Sequence, residues 1–243
     1  MKGLGTTARA LWALAMAAVA TLLLTAQPSS AADRPYLAVT SAAAEEDDDN
    51  VWSLQTAARS DRWLRSVGAV AEYAFDPVRS VQLELTRNRL RGTGETALGA
   101  ELEYKHLFNH IARDGWGWGL NVTLGADRSA GERWRGGGWS AVLPFSLSMA
   151  EKALLGHLNL GLERERGERR HAVLALGLEG QIARGVVVFG ELARRGDERL
   201  MHAGVRHWIK RDRLALDVSF TSRRVDDGPR TQGWVLGLAW YDL

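Results

Sequence analysis

The chain has 243 residues, of which 46% are apolar and 25% are charged, with 31 basic residues, 29 acidic residues and no cysteine. This length and apolar share exclude a disordered or collagen-like chain. The absence of cysteine excludes a disulfide framework, a thiolate metal site and a cysteine nucleophile. The net charge of +2 offers no argument for binding nucleic acid, so any functional inference has to come from the order of the residues.

Residues 1–32 have the pattern of a secretory signal peptide. Two basic residues form a positive start, an uncharged and mostly apolar run extends from Ala10 to Leu24, and small residues precede a predicted cleavage site before Asp33. The apolar run is shorter than the ~20 residues that a membrane-spanning helix needs, which disfavours an anchor. Cleavage would leave 29 basic and 29 acidic residues, because it removes Lys2, Arg9 and no acidic residue.

Residues 33–50 are predicted to form an acidic periplasmic leader. The acidic run from Glu45 to Asp49 has no apolar face to bury, so we expect it to be solvated. The folded domain is then predicted to cover residues 51–243.

Apolar and polar residues alternate from residue 51 to the end of the chain. In the stretch 158–163, for example, three leucines alternate with Asn159, Gly161 and Glu163. A period of two is typical of strands with one apolar and one polar face. We predict twelve strands, at 51–59, 63–75, 79–90, 95–108, 115–126, 138–149, 153–164, 170–182, 185–194, 199–209, 213–223 and 231–242.

The predicted strands are mostly longer than the ~5–6 residues typical of soluble sheets and match the ~9–11 residues of bilayer-crossing strands. Together with the signal peptide, they predict an all-β protein, a transmembrane antiparallel up-and-down β-barrel of about twelve strands in the cell outer membrane. The alternative is a secreted β-sandwich or a lipocalin-like barrel, which would bury its apolar face inward. An even strand count closes the sheet, but alternation alone leaves open whether 51–59 joins it.

The connections alternate between a tight class, such as Asp76 to Val78, and a usually longer polar class, such as Asp127 to Gly137. Outer-membrane barrels have short periplasmic turns and longer outer loops, so we expect both termini to be periplasmic. Tryptophans are expected in two interfacial belts. The outer belt would hold Trp63, Trp139 and Trp234, and the inner belt Trp116, Trp118, Trp208 and Trp240.

In such a barrel the apolar faces meet lipid and the polar faces line the lumen. This arrangement predicts a passive channel or transporter for small solutes, whose selectivity comes from lumen charges. The alternative is a polar interior of paired, hydrated charges with no open path. The lumen candidates are Glu72, Glu84, Glu101, Glu103, Lys105, Asn121, Thr123, Glu163, Glu179, Glu191, Arg206 and Asp217.

Arginines gather at the predicted outer loops. The planar guanidinium binds phosphate through two parallel hydrogen bonds, so these residues are predicted to contact lipopolysaccharide on the outer leaflet. Loop solubility with local acidic partners is the alternative. The candidates are Arg89, Arg91, Arg133, Arg135, Arg166, Arg170, Arg195 and Arg224.

No catalytic motif stands out in the chain, which lacks G-x-S-x-G, H-E-x-x-H and a phosphate-binding loop. We therefore predict no enzyme, no metal and no cofactor. His171 and His202, with Glu163, could form an acid–base cluster near the outer end. Two further alternatives stay open: a non-conducting structural or surface-interaction barrel, and a barrel enzyme with a site at the outer rim.

From about Trp63 to its end, the chain resembles the outer-membrane proteins assigned to the MetA pathway of phenol degradation. The resemblance lies in Glu72 to Glu84, Leu98 to Lys105, Val188 to Leu192 and Gly233 to Trp240. It implies a barrel of the transporter kind that passes small solutes, including aromatic or hydrophobic ones. An outer-membrane barrel also implies membrane lipid and the barrel-assembly machinery as partners, and no nucleic acid.

Overall fold

A computed structural model describes residues 36–42, 50–109, 111–149, 154–226 and 228–243, and in it twelve antiparallel strands form a closed barrel. The predicted signal peptide and the acidic run 45–49 lie outside the described residues. The twelve-stranded all-β barrel is confirmed. Its strands are β1 (Val51–Asp61), β2 (Leu64–Asp76), β3 (Arg79–Leu90), β4 (Thr96–Leu107), β5 (Trp116–Ser129), β6 (Arg135–Met149), β7 (Leu154–Glu165), β8 (His171–Ala183), β9 (Val186–Arg195), β10 (Glu198–Lys210), β11 (Leu214–Val225) and β12 (Thr231–Trp240).

The first strand closes the barrel. β1 pairs with β2 on one side and with β12 on the other, in a register that runs from Leu54 opposite Trp240 to Asp61 opposite Gly233. Residues 51–59 therefore belong to the barrel, and no strand edge is left for lipid to solvate. In the described part of the chain, no helix is long and apolar enough to cross a membrane.

The two ends of the barrel differ less in connection length than the sequence predicts. The end that holds Val51 and Trp240, called the terminal end, has two-residue turns at 77–78 and 184–185 but also a longer connection that carries a short helix, α1 (Ile111–Asp114). At the opposite end, called the loop end, β5 and β6 continue their pairing to Asp127 opposite Arg135. The predicted loop 127–137 is therefore shortened to 130–134, because its polar residues extend the ladder into water.

The exterior of the barrel is apolar. Leu174, Leu176 and Leu178 on β8 are 45%, 50% and 48% exposed, and most other large exposed hydrophobics lie on the same face of their strands. Exposed hydrophobic side chains on most of the strands form an apolar surface that is stable only in contact with hydrocarbon. The apolar faces therefore point outward, which excludes the soluble alternatives, since those would bury them inside.

Trp208 is an exception to the predicted aromatic belts. It lies on the same face of β10 as the buried Arg206 and packs against Ala215, Ala239 and Tyr241. Its ring therefore faces the interior at the terminal end rather than the lipid interface. The prediction for Trp208 is therefore wrong. A residue near a strand end can lie on either face of the sheet, and its place in the alternation along the strand decides which face.

The predicted leader is not wholly solvated. Residues 36–42 lie inside the barrel, where Val39, Ser41 and Ala42 are buried. Tyr36 packs edge-on against His157 and Phe189. This part of the predicted leader therefore fills space inside the barrel.

Candidate functional site in the barrel interior

All twelve predicted lumen residues lie on the interior face of the barrel wall. Side chains alternate between the two faces of a strand, and these residues have the opposite parity to the exposed leucines and tryptophans of the exterior. Seven are buried, namely Glu72, Lys105, Asn121, Glu179, Glu191, Arg206 and Asp217. The other five are partly or fully accessible, namely Glu84, Glu101, Glu103, Thr123 and Glu163. Their part in conduction stays a prediction.

Accessible carboxylates cluster on the wall formed by β3, β4 and β5, called the acidic wall. Glu84 lies opposite Glu101 in the ladder between β3 and β4. Glu103 accepts a 3.4 Å hydrogen bond from the Thr123 hydroxyl. Glu101 is exposed although it points inward, so the barrel holds solvent-accessible space beside this wall.

The opposite wall carries a buried ion pair. The Nε and Nη2 atoms of Arg206 donate to the two carboxylate oxygens of Asp217 at 2.7 and 2.9 Å, and Nη1 donates to the Tyr241 hydroxyl at 2.8 Å. The guanidinium also lies 5.5 Å from the centre of the Trp208 ring. Two parallel bonds satisfy both charges without water, so this pair closes part of the interior near the terminal end.

A second buried arrangement joins a carboxylate, an imidazole and a hydroxyl. His202 Nδ1 lies 2.8 Å from Glu191 Oε1, and His202 Nε2 lies 2.7 Å from Ser219 Oγ. A carboxylate can only accept, so Nδ1 carries the proton toward Glu191 and Nε2 faces the hydroxyl. This order matches a nucleophile, a base and an orienting acid.

Residues 36–42 bind to this same group and to a second one. The backbone N–H groups of Leu37, Ala38 and Val39 donate to the Glu191 carboxylate at 2.6, 3.0 and 2.8 Å. The Ala42 N–H donates to Ser146 Oγ at 2.8 Å, and that hydroxyl lies 2.8 Å from His157 Nδ1. The interior therefore holds a peptide segment at two polar points.

Most of these partners were not predicted from the sequence. Alternation places Ser146, His157 and Ser219 on the polar faces, but only the register between strands shows which polar residues meet. Of the suggested cluster, His171 and Glu163 are cross-strand neighbours on β8 and β7, but His202 bonds to Glu191 and Ser219, so the three residues do not form one cluster. Instead, His171 Nε2 lies 3.5 Å from Glu168, and Glu163 binds Arg195 at 3.4 Å.

The eight candidate rim arginines lie at the loop end but differ in their partners. Arg195 binds Glu163, Arg135 lies 3.8 Å from Glu132, Arg91 donates to the Ser60 hydroxyl, and Arg170 lies over the Trp139 ring. The other four are exposed and make no ion pair within the described part of the chain, namely Arg89, Arg133, Arg166 and Arg224. Two of the eight arginines, Arg135 and Arg195, thus have the local acidic partners that the alternative interpretation predicts.

Among the described residues, no group of three or more histidine, cysteine, aspartate or glutamate side chains is arranged to hold a metal ion. The two buried histidines bond to hydroxyl or carboxylate groups instead.

Solved structures share this architecture. The KdgM porin in complex with disordered oligogalacturonate superposes with a TM-score of 0.60 at 10% identity, over 77% of this chain and 98% of that one. The fold is that of an outer-membrane β-barrel. The NanC porin superposes at 0.54 with 7% identity, over 78% of this chain and 98% of that one. LpxR from Salmonella typhimurium superposes at 0.52 with 10% identity, over 77% and 99%.

The fold and the apolar exterior place the protein in the outer membrane. At these identities the likeness concerns architecture. No protein-family model matches the chain, and no curated protein matches it. The resemblance to the phenol-degradation family therefore stays a prediction.

Proposed function

We propose that the protein is a passive outer-membrane channel for small solutes. The observation that carries this proposal is the acidic wall, where Glu101 points into the barrel and is nevertheless accessible to solvent. A barrel that filled its interior with side chains alone would leave such a carboxylate buried. The porin architecture of the KdgM and NanC neighbours supports the same function.

The carboxylates of the acidic wall favour cations and neutral solutes. The twelve interior candidates comprise eight carboxylates, one lysine, one arginine, one asparagine and one threonine. Rings of carboxylates select cations, because they attract counter-ions and repel anions at close range. The acidic wall would exert this preference most strongly, since its carboxylates face water.

Conductance in planar bilayers tests this function. The refolded protein is expected to give discrete, cation-selective steps. The double variant Glu101→Gln/Glu103→Gln is expected to shift the reversal potential in a salt gradient toward that of a non-selective pore. Glu132→Gln, which removes a carboxylate from a loop, serves as the control and is expected to leave selectivity unchanged. A correctly folded barrel that never conducts would refute the proposal.

The resemblance to the phenol-degradation family supports a finer proposal, that the solutes include small aromatic molecules. Uptake of phenol-sized and sugar-sized pairs of neutral solutes into protein-containing liposomes separates the two possibilities. The two solutes of each pair, one aromatic and one not, are matched in size and charge. Equal uptake of both would indicate a general pore without aromatic preference.

A hydrolytic barrel is the second candidate, and the Glu191–His202–Ser219 arrangement is the observation that favours it. The three side chains have the order that activates a serine hydroxyl. However, residues 37–39 already bind Glu191, and the interior position differs from the rim site that the sequence analysis considered. Labelling by a fluorophosphonate probe in the wild type but not in Ser219→Ala would support this candidate. Equal absence of label would exclude it.

A further inference from the structure

The strongest unassigned feature of the molecule is the contact between residues 36–42 and the barrel interior. Three consecutive backbone N–H groups of this segment donate to one carboxylate, that of Glu191. That carboxylate also bonds to His202, which in turn lies 2.7 Å from Ser219. The carboxylate is therefore held in place from the wall side while its other acceptor positions face the segment.

The contact with Glu191 is made by backbone N–H groups of the segment and not by its side chains. Successive N–H groups that converge on one anion form a concave donor site, and hydrogen bonds to a charged acceptor are about twice as strong as neutral ones. Any short peptide able to adopt the same turn would present the same donors. The Glu191 end of the site is thus selective for peptide main chain.

The wall beside Glu191 fits a small apolar side chain. Val39 packs in a cluster with Ala175, Ala193 and Leu200. A Cβ atom added to Gly177 would lie 3.2 Å from both methyl groups of Val39. Ala175, Ala193 and Gly177 are small, so the space beside Leu200 is shaped for a side chain of about the size of valine.

A second contact fixes the other end of the segment. The Ala42 N–H donates to Ser146 Oγ. A Cβ atom at Gly117 would lie only 2.2 Å from the Ala42 carbonyl oxygen, so this approach requires glycine. The segment therefore contacts residues on four different strands, namely Gly117, Ser146, Gly177 and Glu191.

We propose that the barrel interior contains a peptide-binding site centred on Glu191, that residues 36–42 are its built-in ligand, and that their occupancy narrows the lumen. The ligand class is a short peptide with three consecutive free backbone N–H groups, of which the third belongs to a small apolar residue. The narrowing of the lumen rests on the proposed channel function, whereas peptide binding does not.

A disulfide trap tests occupancy, because the chain contains no cysteine of its own. The pair Val39→Cys/Gly177→Cys is expected to oxidise to a disulfide in the folded protein, which mass spectrometry of non-reduced peptides would show. The control pair Val39→Cys/Glu101→Cys places the second thiol on the acidic wall and is expected to stay reduced. Similar crosslinking in both pairs would overturn the proposed occupancy.

Peptide binding in trans tests the site itself. Ala38→Pro removes one donor from the resident segment and lies outside every strand, so the barrel is retained while the built-in ligand is weakened. A labelled peptide with the sequence of residues 36–42 is expected to bind this variant, as measured by fluorescence anisotropy. The same peptide N-methylated at Ala38 is expected to bind roughly tenfold more weakly, the loss of one charge-assisted hydrogen bond.

Glu191→Gln in the Ala38→Pro background is expected to weaken the unmodified peptide by a similar factor, about tenfold, while Glu101→Gln in that background leaves its affinity unchanged. Equal affinity for the unmodified and the N-methylated peptide, or no effect of Glu191→Gln on binding, would overturn the proposed binding site.

Conductance of the trapped protein separates this proposal from the channel function. In the Ala38→Pro background, where the native contacts of the segment are weakened, reduction of the Val39–Gly177 cysteine pair releases the segment and is expected to raise the conductance. Unchanged conductance in a protein that conducts would refute the narrowing. A protein that binds peptide but conducts in neither state would refute the channel and leave the binding site standing.

Discussion

Glu191 and His202 lie opposite each other on β9 and β10, with a carboxylate oxygen 2.8 Å from the imidazole Nδ1 and neither side chain exposed. Each is also bonded to a further group, Glu191 to the backbone of residues 37–39 and His202 to Ser219. The pair therefore links the barrel wall to the segment inside it. The loss of either side chain would leave buried polar atoms without partners, which is costly in a medium of low dielectric.

His202→Ala is expected to lower the free energy of unfolding by about 3 kcal/mol, since it removes a hydrogen bond to a buried carboxylate and leaves Ser219 without its imidazole partner. Urea unfolding of the barrel in lipid vesicles, followed by tryptophan fluorescence, measures this. The control is His171→Ala, whose side chain is 33% exposed and whose loss should cost less than about 0.5 kcal/mol. Similar losses in the two variants would show that the buried hydrogen bonds of His202 contribute no more to the free energy of unfolding than the exposed His171 does.

The Arg206–Asp217 pair is expected to behave as a coupled unit. Arg206→Met or Asp217→Leu alone should each cost about 3–5 kcal/mol, because one charge remains buried without its partner, while the double variant should recover most of that loss. A double-mutant cycle by the same unfolding assay measures the coupling. Arg211→Ala breaks an ion pair whose side chains are 70% and 45% exposed and should cost no more than about 1 kcal/mol. Additive losses in the cycle would contradict the prediction.

Leu176→Arg is expected to destabilise the barrel by about 2–4 kcal/mol, because Leu176 lies near the middle of β8 on the lipid-facing side and arginine is costly at the bilayer midplane. The same change at Trp63, near the loop end, should cost about 0–1 kcal/mol, since arginine reaches the headgroups there. Unfolding from vesicles of defined thickness measures both. Equal costs at the two depths would argue against the proposed position of the barrel in the membrane.

Arg133→Gln/Arg166→Gln is expected to weaken the binding of lipopolysaccharide to the purified barrel by roughly tenfold, because both guanidinium groups are exposed without an ion pair in the described structure and are free to bind phosphate. Arg135→Gln/Arg195→Gln is the control matched in charge, since these guanidinium groups already lie 3.8 Å from Glu132 and 3.4 Å from Glu163. Titration with defined lipopolysaccharide, read out by tryptophan fluorescence, measures the affinity. An equal effect of both changes would assign the binding to net charge alone.

The prediction from sequence succeeded where the signal is local. Alternation identified the strands to within a few residues, for example 185–194 against Val186–Arg195, because the period of two is a property of each strand alone. Parity likewise assigned Glu191, Arg206 and Asp217 to the polar face. The prediction failed for Trp208, which was assigned to the lipid interface from its position near a strand end although alternation along β10 turns its ring inward.

The sequence by itself determined the alternating strands, the two faces of the wall and the clustering of arginines at one end, whereas the pairing of β1 with β12 showed that residues 51–59 complete the barrel. Only the tertiary structure decided which interior groups meet. Glu191 and Leu37 are 154 positions apart, and His202 meets Ser219 through a register that spans two strands. The reason is physical: alternation follows from the geometry of a single extended chain, whereas these hydrogen bonds depend on the register of neighbouring strands and on the segment that the barrel encloses, which no local pattern of residues encodes.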